Sequence, residues 1–164
     1  MLDLIKKRRS IRKYTGDPVS EDQIRAMLEA AMAAPSGNNK QPWEFIVVQG
    51  EALRQALADT HPWANMCAGA PVVFVICGHE QASKHWIADT SAATENLLLE
   101  AAALDLGTVW IGIYPTVEYE EAVRETLDIP SDLRVLCLVA CGHPAETKPP
   151  HTKYDPDKVH YETY

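Results

Sequence analysis

Between Ser83 and about Leu106 the chain reads as its longest helix, and the middle of that helix leaves almost no polar side: Ala92, Ala93, Leu97, Leu98, Leu99, Ala101, Ala102, Ala103 and Leu104. A helix that is apolar all round must be buried all round. In a chain of 164 residues two arrangements meet that demand: a helix at the centre of the fold, or one with a face given to a partner subunit. Glu95, Asn96, Glu100 and Asp105 interrupt the run, which falls short of the ~20 apolar residues that cross a bilayer. No membrane segment is expected, and Met1-Leu2-Asp3 does not open a signal peptide, so the expected location is cytoplasmic. At this length a chain buries roughly 70% of its unfolded surface, and one domain over 1–164 is expected.

The other elements follow from periodicity and punctuation. Residues 3–9 read as a short helix with Leu4 and Ile5 inward. Ser20-Glu21-Asp22-Gln23 has the form of a capping box, and Ile24, Met27, Leu28 and Ala31 follow at helical spacing, so a helix spans about 20–34. Residues 44–49, 72–77, 107–113 and 133–141 read as buried strands. Helices are expected over 51–59, with Leu53, Ala56 and Leu57 inward, and over 116–127. The tail from 145 onward holds Pro149, Pro150 and Pro156 and should run over a surface, its aromatic end at Tyr161 and Tyr164 suggesting docking.

Charge is distributed unevenly. The formal net charge is −8, yet six of the fifteen Lys and Arg residues fall in the first thirteen positions, within Lys6-Lys7-Arg8-Arg9-Ser10-Ile11-Arg12-Lys13. Nucleic-acid binding needs a basic face or stripe, which this acidic chain lacks. A site for a small anion fits better, the plain alternative being a solvated basic turn. A second stretch, Ala34-Pro35-Ser36-Gly37-Asn38-Asn39-Lys40-Gln41-Pro42-Trp43, crowds hydrogen-bonding groups into a loop that cannot be regular. It is either a solvated connection or a binding loop.

Cys137 and Cys141 lie four apart in a strand, about 13 Å at ~3.3 Å per residue, beyond the ~7 Å reach of a disulfide. With Cys67 and Cys77 they read as small core residues. The six histidines show no metal-ligand spacing. His85 and Asp89, at i,i+4, could share a hydrogen bond. Gly112 suits close approach of a ligand or a packing role, and Trp110 reads as core.

Four stretches together resemble the nitroreductase-like FMN-dependent oxidoreductases: Arg8–Tyr14, Ala34–Trp43, Leu106–Gly112, and Gly142–Glu146 with Val159–Glu162. Their order and spacing cover the chain end to end. The resemblance implies an α+β fold, with a central antiparallel-rich sheet flanked by helices, and an intertwined homodimer with two FMN sites at the interface. It implies that Arg8 and Ser10 hold the FMN phosphate with Arg9 beside them, and that Arg12 approaches the pyrimidine edge of the flavin. Pro35, Ser36, Gly37 and Asn39 would come from the other subunit. Gln41 would touch the ring, and Ile111 and Gly112 would lie against its opposite side. Relatives complete the phosphate clamp with a second basic pair; here His151-Thr152-Lys153 stands in that region, and Lys153 is expected to serve. Segments 50–63 and 114–120, where relatives insert roofing helices, carry little, so an open pocket is expected.

The activity implied is a ping-pong hydride transfer from NADH or NADPH through FMN to a nitroaromatic, quinone, flavin or other small acceptor. The cofactor carries the chemistry, so no catalytic side chain and no metal is expected. Two other readings share the sequence: a non-enzymatic FMN carrier or sensor, and a specialised flavin reaction such as reductive dehalogenation or flavin cleavage.

Overall fold

A computed structural model describes all 164 residues. Four strands, β1 (Trp43–Val48), β2 (Val72–Gly78), β3 (Gly107–Gly112) and β4 (Arg134–Gly142), form one sheet in the order β1-β2-β4-β3. Every neighbouring pair is antiparallel. The two central strands are buried along their length save for Arg134. They read as continuous apolar runs because helices cover both faces of the sheet.

On one face, α2 (Glu21–Met32) and α5 (Trp86–Ala103) pack Ile24, Met27, Ala93, Leu97 and Ala101 against Phe74, Ile76, Cys137 and Val139. On the other, α3 (Glu51–Asp59), the single turn α4 (Met66–Gly69) and α6 (Val117–Leu127) bring Leu57, Cys67 and Val123 to Val73, Val75, Leu138 and Ala140. The capping box starts α2: Ser20 Oγ accepts from the Gln23 amide at 3.2 Å, and the Ser20 amide donates to Gln23 Oε1 at 3.0 Å. All four cysteines are free and buried.

One irregularity sets the end of β3. Ile76 pairs with Cys137 but Cys77 pairs with Val135, so Leu136 is the extra residue of a bulge and shares its face of the sheet with Cys137. The Leu136 carbonyl accepts from the amides of both Ile113 and Tyr114 at 3.1 Å. Strand pairing of β3 therefore stops at Gly112, leaving an open edge beyond Thr108.

The all-round apolar helix lies on one face of the sheet beside α2, with nine of its eighteen residues buried. Its side bearing Trp86, Ala93, Leu97 and Ala101 is buried, while Ala88 and Ala103 are exposed and Ala92 and Leu99 only half-buried. A narrow apolar strip thus remains in water on the isolated chain. No helix is long and apolar enough to cross a membrane.

Several expectations need correction. Ile5, on α1 (Leu2–Lys7), and Leu53, on α3, face outward, because each short helix presents only one turn's width to the body and its neighbours Leu4 and Leu57 take that place. Trp110 is half-buried rather than core. The turn α4 had no sequence signal.

Candidate functional site

The basic segment is positioned by the free edge of the sheet. Ser10 bridges Thr108 in parallel fashion, and the Ile11 amide donates to the Thr108 carbonyl at 2.9 Å. Ile11 lies so close to Gly107 that a Cβ there would stand 2.7 Å from its Cγ2, so only glycine lets the segment dock. Tyr14 pins the far end: its hydroxyl, facing the Ile11 carbonyl at 2.7 Å and the Ala140 carbonyl at 3.1 Å, stays protonated because burial pushes its pKa well up. Thr15 donates to the His143 carbonyl and Ala145 to that of Lys13, while the Arg12 amide donates to Glu146 at 2.6 Å. The stretch after β4 is thereby drawn alongside the basic segment.

The result is a cluster of cations around a cavity of about 260 Å³ lined by Lys7, Arg8, Arg9, Thr108, Glu146 and Lys148, among others. Arg8 Nε lies 3.2 Å from Glu95 on α5, and Lys7 pairs with Asp105. Lys148 donates to the Ser10 carbonyl and lies 3.3 Å from Glu146, and Arg9 donates to the Pro149 carbonyl. His151 stands next to this group. Its pKa is held below the usual imidazole value by burial and by the charges of Arg9, Lys153 and Arg8, and its Nδ1 is buried without a partner. Converging cations and an unpartnered ring nitrogen are what an anion would satisfy. Lys153 is exposed and has no hydrogen bond of its own, while Lys148 is the lysine that lines the cavity. Its place six residues beyond Gly142 was the sequence signal for it.

Ile11 and Thr108 line this cavity, and the next residues, Arg12 and Val109, line a second of about 700 Å³ with His61, Trp63, Asn65, Met66, Trp110, Ile111 and Gly112. The two are neighbours along β3. A Cβ at Gly112 would meet nothing within 4 Å, so packing does not demand glycine there and its face is open to a ligand. The Arg12 guanidinium has no carboxylate or carbonyl partner in its own chain. His61 accepts the Trp63 amide on Nδ1 at 2.9 Å and stacks edge-on against Tyr119, with ring centroids 4.3 Å apart; burial lowers its pKa. The segment 60–66 therefore walls the cavity, although its sequence suggested little there.

The loop at 35–41 lies elsewhere. The Gly37 amide donates to Asp89 Oδ1 at 2.9 Å and the Gln41 amide to Ser36 Oγ at 2.9 Å. The His85 ring packs on Gly37, where a Cβ would stand 2.9 Å from it, and makes no bond to the Asp89 carboxylate; the two residues are joined only through the Asp89 amide, which donates to the His85 carbonyl at 2.9 Å. Pro35, Asn39 and Gln41 are exposed. Asp89 and Ala102, which lines the Arg8 cavity, are thirteen residues or about 20 Å apart along α5. Neither cavity draws on the loop of its own chain.

A model of the nitroreductase family matches residues 5–66 and 60–143. The chain belongs to the nitroreductase family. An Archaeoglobus fulgidus protein provisionally named an NADH dehydrogenase/NAD(P)H nitroreductase is 38% identical over 99% of this chain and 98% of its own. An FMN-dependent nitroreductase of Clostridium difficile superposes with a TM-score of 0.96 at 31% identity over the whole of both chains. A provisionally named nitroreductase of Desulfovibrio desulfuricans, solved in complex with FMN, gives 0.84 at 31% identity over 99% of this chain and 96% of that one.

Proposed function

We propose that the protein is an FMN-dependent NAD(P)H oxidoreductase that works as a homodimer, with an FMN site at each end of the interface, and passes hydride by a ping-pong route to a small acceptor such as a nitroaromatic, a quinone or a flavin. The observation that carries this reading is the pair of neighbouring cavities along the β3 edge, one lined by cations that also act on the nearby unpartnered imidazole of His151, the other floored by an unobstructed Gly112. Relatives that bind FMN or are named for it support the same cofactor here.

In this reading Arg8, the Ser10 hydroxyl, Lys148 and His151 hold the phosphate, with Arg9 and Lys153 adding positive charge. Guanidinium and hydroxyl groups suit a phosphate dianion through charge-assisted hydrogen bonds. Bound FMN supplies the chemistry, accepting hydride from NADH or NADPH and delivering it to the acceptor. Arg12, whose guanidinium is unpaired and lines the second cavity, would meet the pyrimidine edge of the flavin, where a cation favours negative charge on the ring. Ile111 and Gly112, which line the second cavity, would back one face of the ring and leave the other open to donor and acceptor. Pro35, Ser36, Gly37, Asn39 and Gln41 come from the partner subunit, since their own loop sits too far along α5 to serve the same chain's Arg8. Trp63 and His61, on the cavity wall, meet whichever substrate enters.

The test is the visible spectrum of the purified protein after incubation with FMN, followed by anaerobic addition of NADH or NADPH. Flavin bands that bleach with either nucleotide and return with a quinone are expected. Failure to take up FMN removes the reading; uptake without bleaching leaves a carrier.

A further inference from the structure

The loop at 36–41 folds through left-handed backbone. Asn38, Asn39 and Gln41 have φ of 51°, 55° and 47°, a region that asparagine tolerates but that side chains such as Gln41's seldom occupy. Such backbone persists only where its surroundings over-determine it. The element that does so lies in the first turn of α5: Asp89, 5% exposed, accepts the Gly37 amide on Oδ1 at 2.9 Å and the Ser83 hydroxyl on Oδ2 at 3.0 Å. Ser83 is itself fixed, its Oγ accepting the His85 amide at 3.1 Å, and the His85 ring closes over Gly37. An acidic residue in a first turn also suits the helix dipole, but an exposed carboxylate would serve that purpose. Burial with one hydrogen bond to each oxygen points to a fixed geometric task.

We propose that Asp89 is the positioning residue that holds loop 36–41 in the conformation competent to contact FMN, and so sets the cofactor affinity of the site that loop serves. The inference rests on the FMN reading above. Apparent affinity scales with the fraction of protein whose loop is already in the competent form. Without Asp89, the loop is free to relax toward ordinary backbone angles and that fraction falls. Asparagine satisfies the same geometry, its Oδ1 accepting from Gly37 and its Nδ2 donating to the Ser83 oxygen, whereas alanine satisfies neither contact.

The experiment compares FMN dissociation constants, from flavin fluorescence quenching, with amide hydrogen exchange at residues 37–41. Asp89→Ala should weaken FMN by about 10- to 100-fold and speed exchange in the loop, whereas Asp89→Asn should stay within about threefold of wild type. Riboflavin should weaken in parallel with FMN, because in the FMN reading the phosphate is held by Arg8, Ser10, Lys148 and His151, while the loop, through Gln41, meets the ring of the partner's cofactor. Wild-type FMN affinity in Asp89→Ala, or equal losses in the alanine and asparagine variants, would overturn the proposal. Should Asp89→Ala fail to fold, Ser83→Ala removes one of the two contacts; unchanged loop exchange together with unchanged FMN affinity in that variant overturns it equally. Arg8→Ala serves as the control. If Arg8→Ala weakens FMN and Asp89→Ala does not, only this inference fails; if Arg8→Ala has no effect either, the FMN reading falls with it.

Discussion

Arg8 is already engaged by Glu95 at 3.2 Å, so an arriving phosphate joins an arranged guanidinium rather than ordering a free one. A flexible arginine would lose more rotamer freedom on binding. Arg8→Ala should therefore weaken FMN by about 2–4 kcal/mol while leaving riboflavin, which has no phosphate, nearly unaffected. Equal losses for both ligands, measured by fluorescence titration, would make Arg8 a structural residue. The two lysines of the C-terminal stretch should separate in the same assay. Lys148 touches the Ser10 carbonyl and lies against Glu146, whereas Lys153 is exposed and acts through charge alone. Lys148→Ala should cost FMN affinity several-fold more than Lys153→Ala, because charges in open water are screened over about 8–10 Å at physiological salt. The reverse order would return the direct role to Lys153.

Among the elements, α6 and β4 are joined by an ion-pair network distinct from the site. Glu120 is 3% exposed, and its carboxylate receives Arg134 Nε at 2.7 Å, Arg134 Nη2 at 2.9 Å and the Val135 amide at 3.0 Å. Burial alone would raise its pKa, but these donors and the Arg124 charge outweigh it and hold the carboxyl below its usual value. A depressed folded pKa gives stability that is present above the unfolded value of 4.5 and lost as pH falls through the folded one. Glu120→Gln should consequently cost about 2–3 kcal/mol near pH 7, and the gap from wild type should narrow as pH is lowered through 4.5 and beyond, in urea melts. A gap that does not change with pH would mean that Glu120 acts by packing alone. Legibility at this scale followed locality. The capping box of α2 and the continuous apolar runs of β2 and β4 could be read because their causes lie within a few residues. Leu53 and Ile5 were misplaced because a short helix leaves several positions that periodicity alone cannot orient. Asp89 was given the wrong partner, His85 four residues before it, and Lys148 gave way to Lys153, because their actual partners, Gly37 and Ser10, lie 52 and 138 positions away. Asn65, His61 and Trp63 share a cavity with Arg12 only through the placement of α4 beside β3, for which the sequence held no sign.

At the scale of the whole molecule, the half-open strip on α5 and the distance between loop 35–41 and Arg8 point the same way. A helix of this composition is not expected to leave Ala88, Ala92, Leu99 and Ala103 wet in the working protein, so light scattering should give twice 18.2 kDa, and the interface should exceed about 2,000 Å². A stable monomer at micromolar concentration would remove the shared site. The sharper question is which subunit's loop completes which site. If Asn39 reaches across to the partner's flavin, each site needs the Arg8 of one subunit and the loop of the other. Mixing an Arg8→Ala chain with an Asn39→Ala chain then yields heterodimers with one wild-type site and one site carrying both lesions. FMN titration at limiting cofactor should recover half the wild-type number of tight sites, since the intact site keeps every charge-assisted phosphate contact. Were the loop to serve its own subunit, both sites would carry one lesion each and no tight site would return. Verified heterodimers without recovered binding would therefore defeat the crossed arrangement while leaving the flavin assignment to stand on its own spectrum.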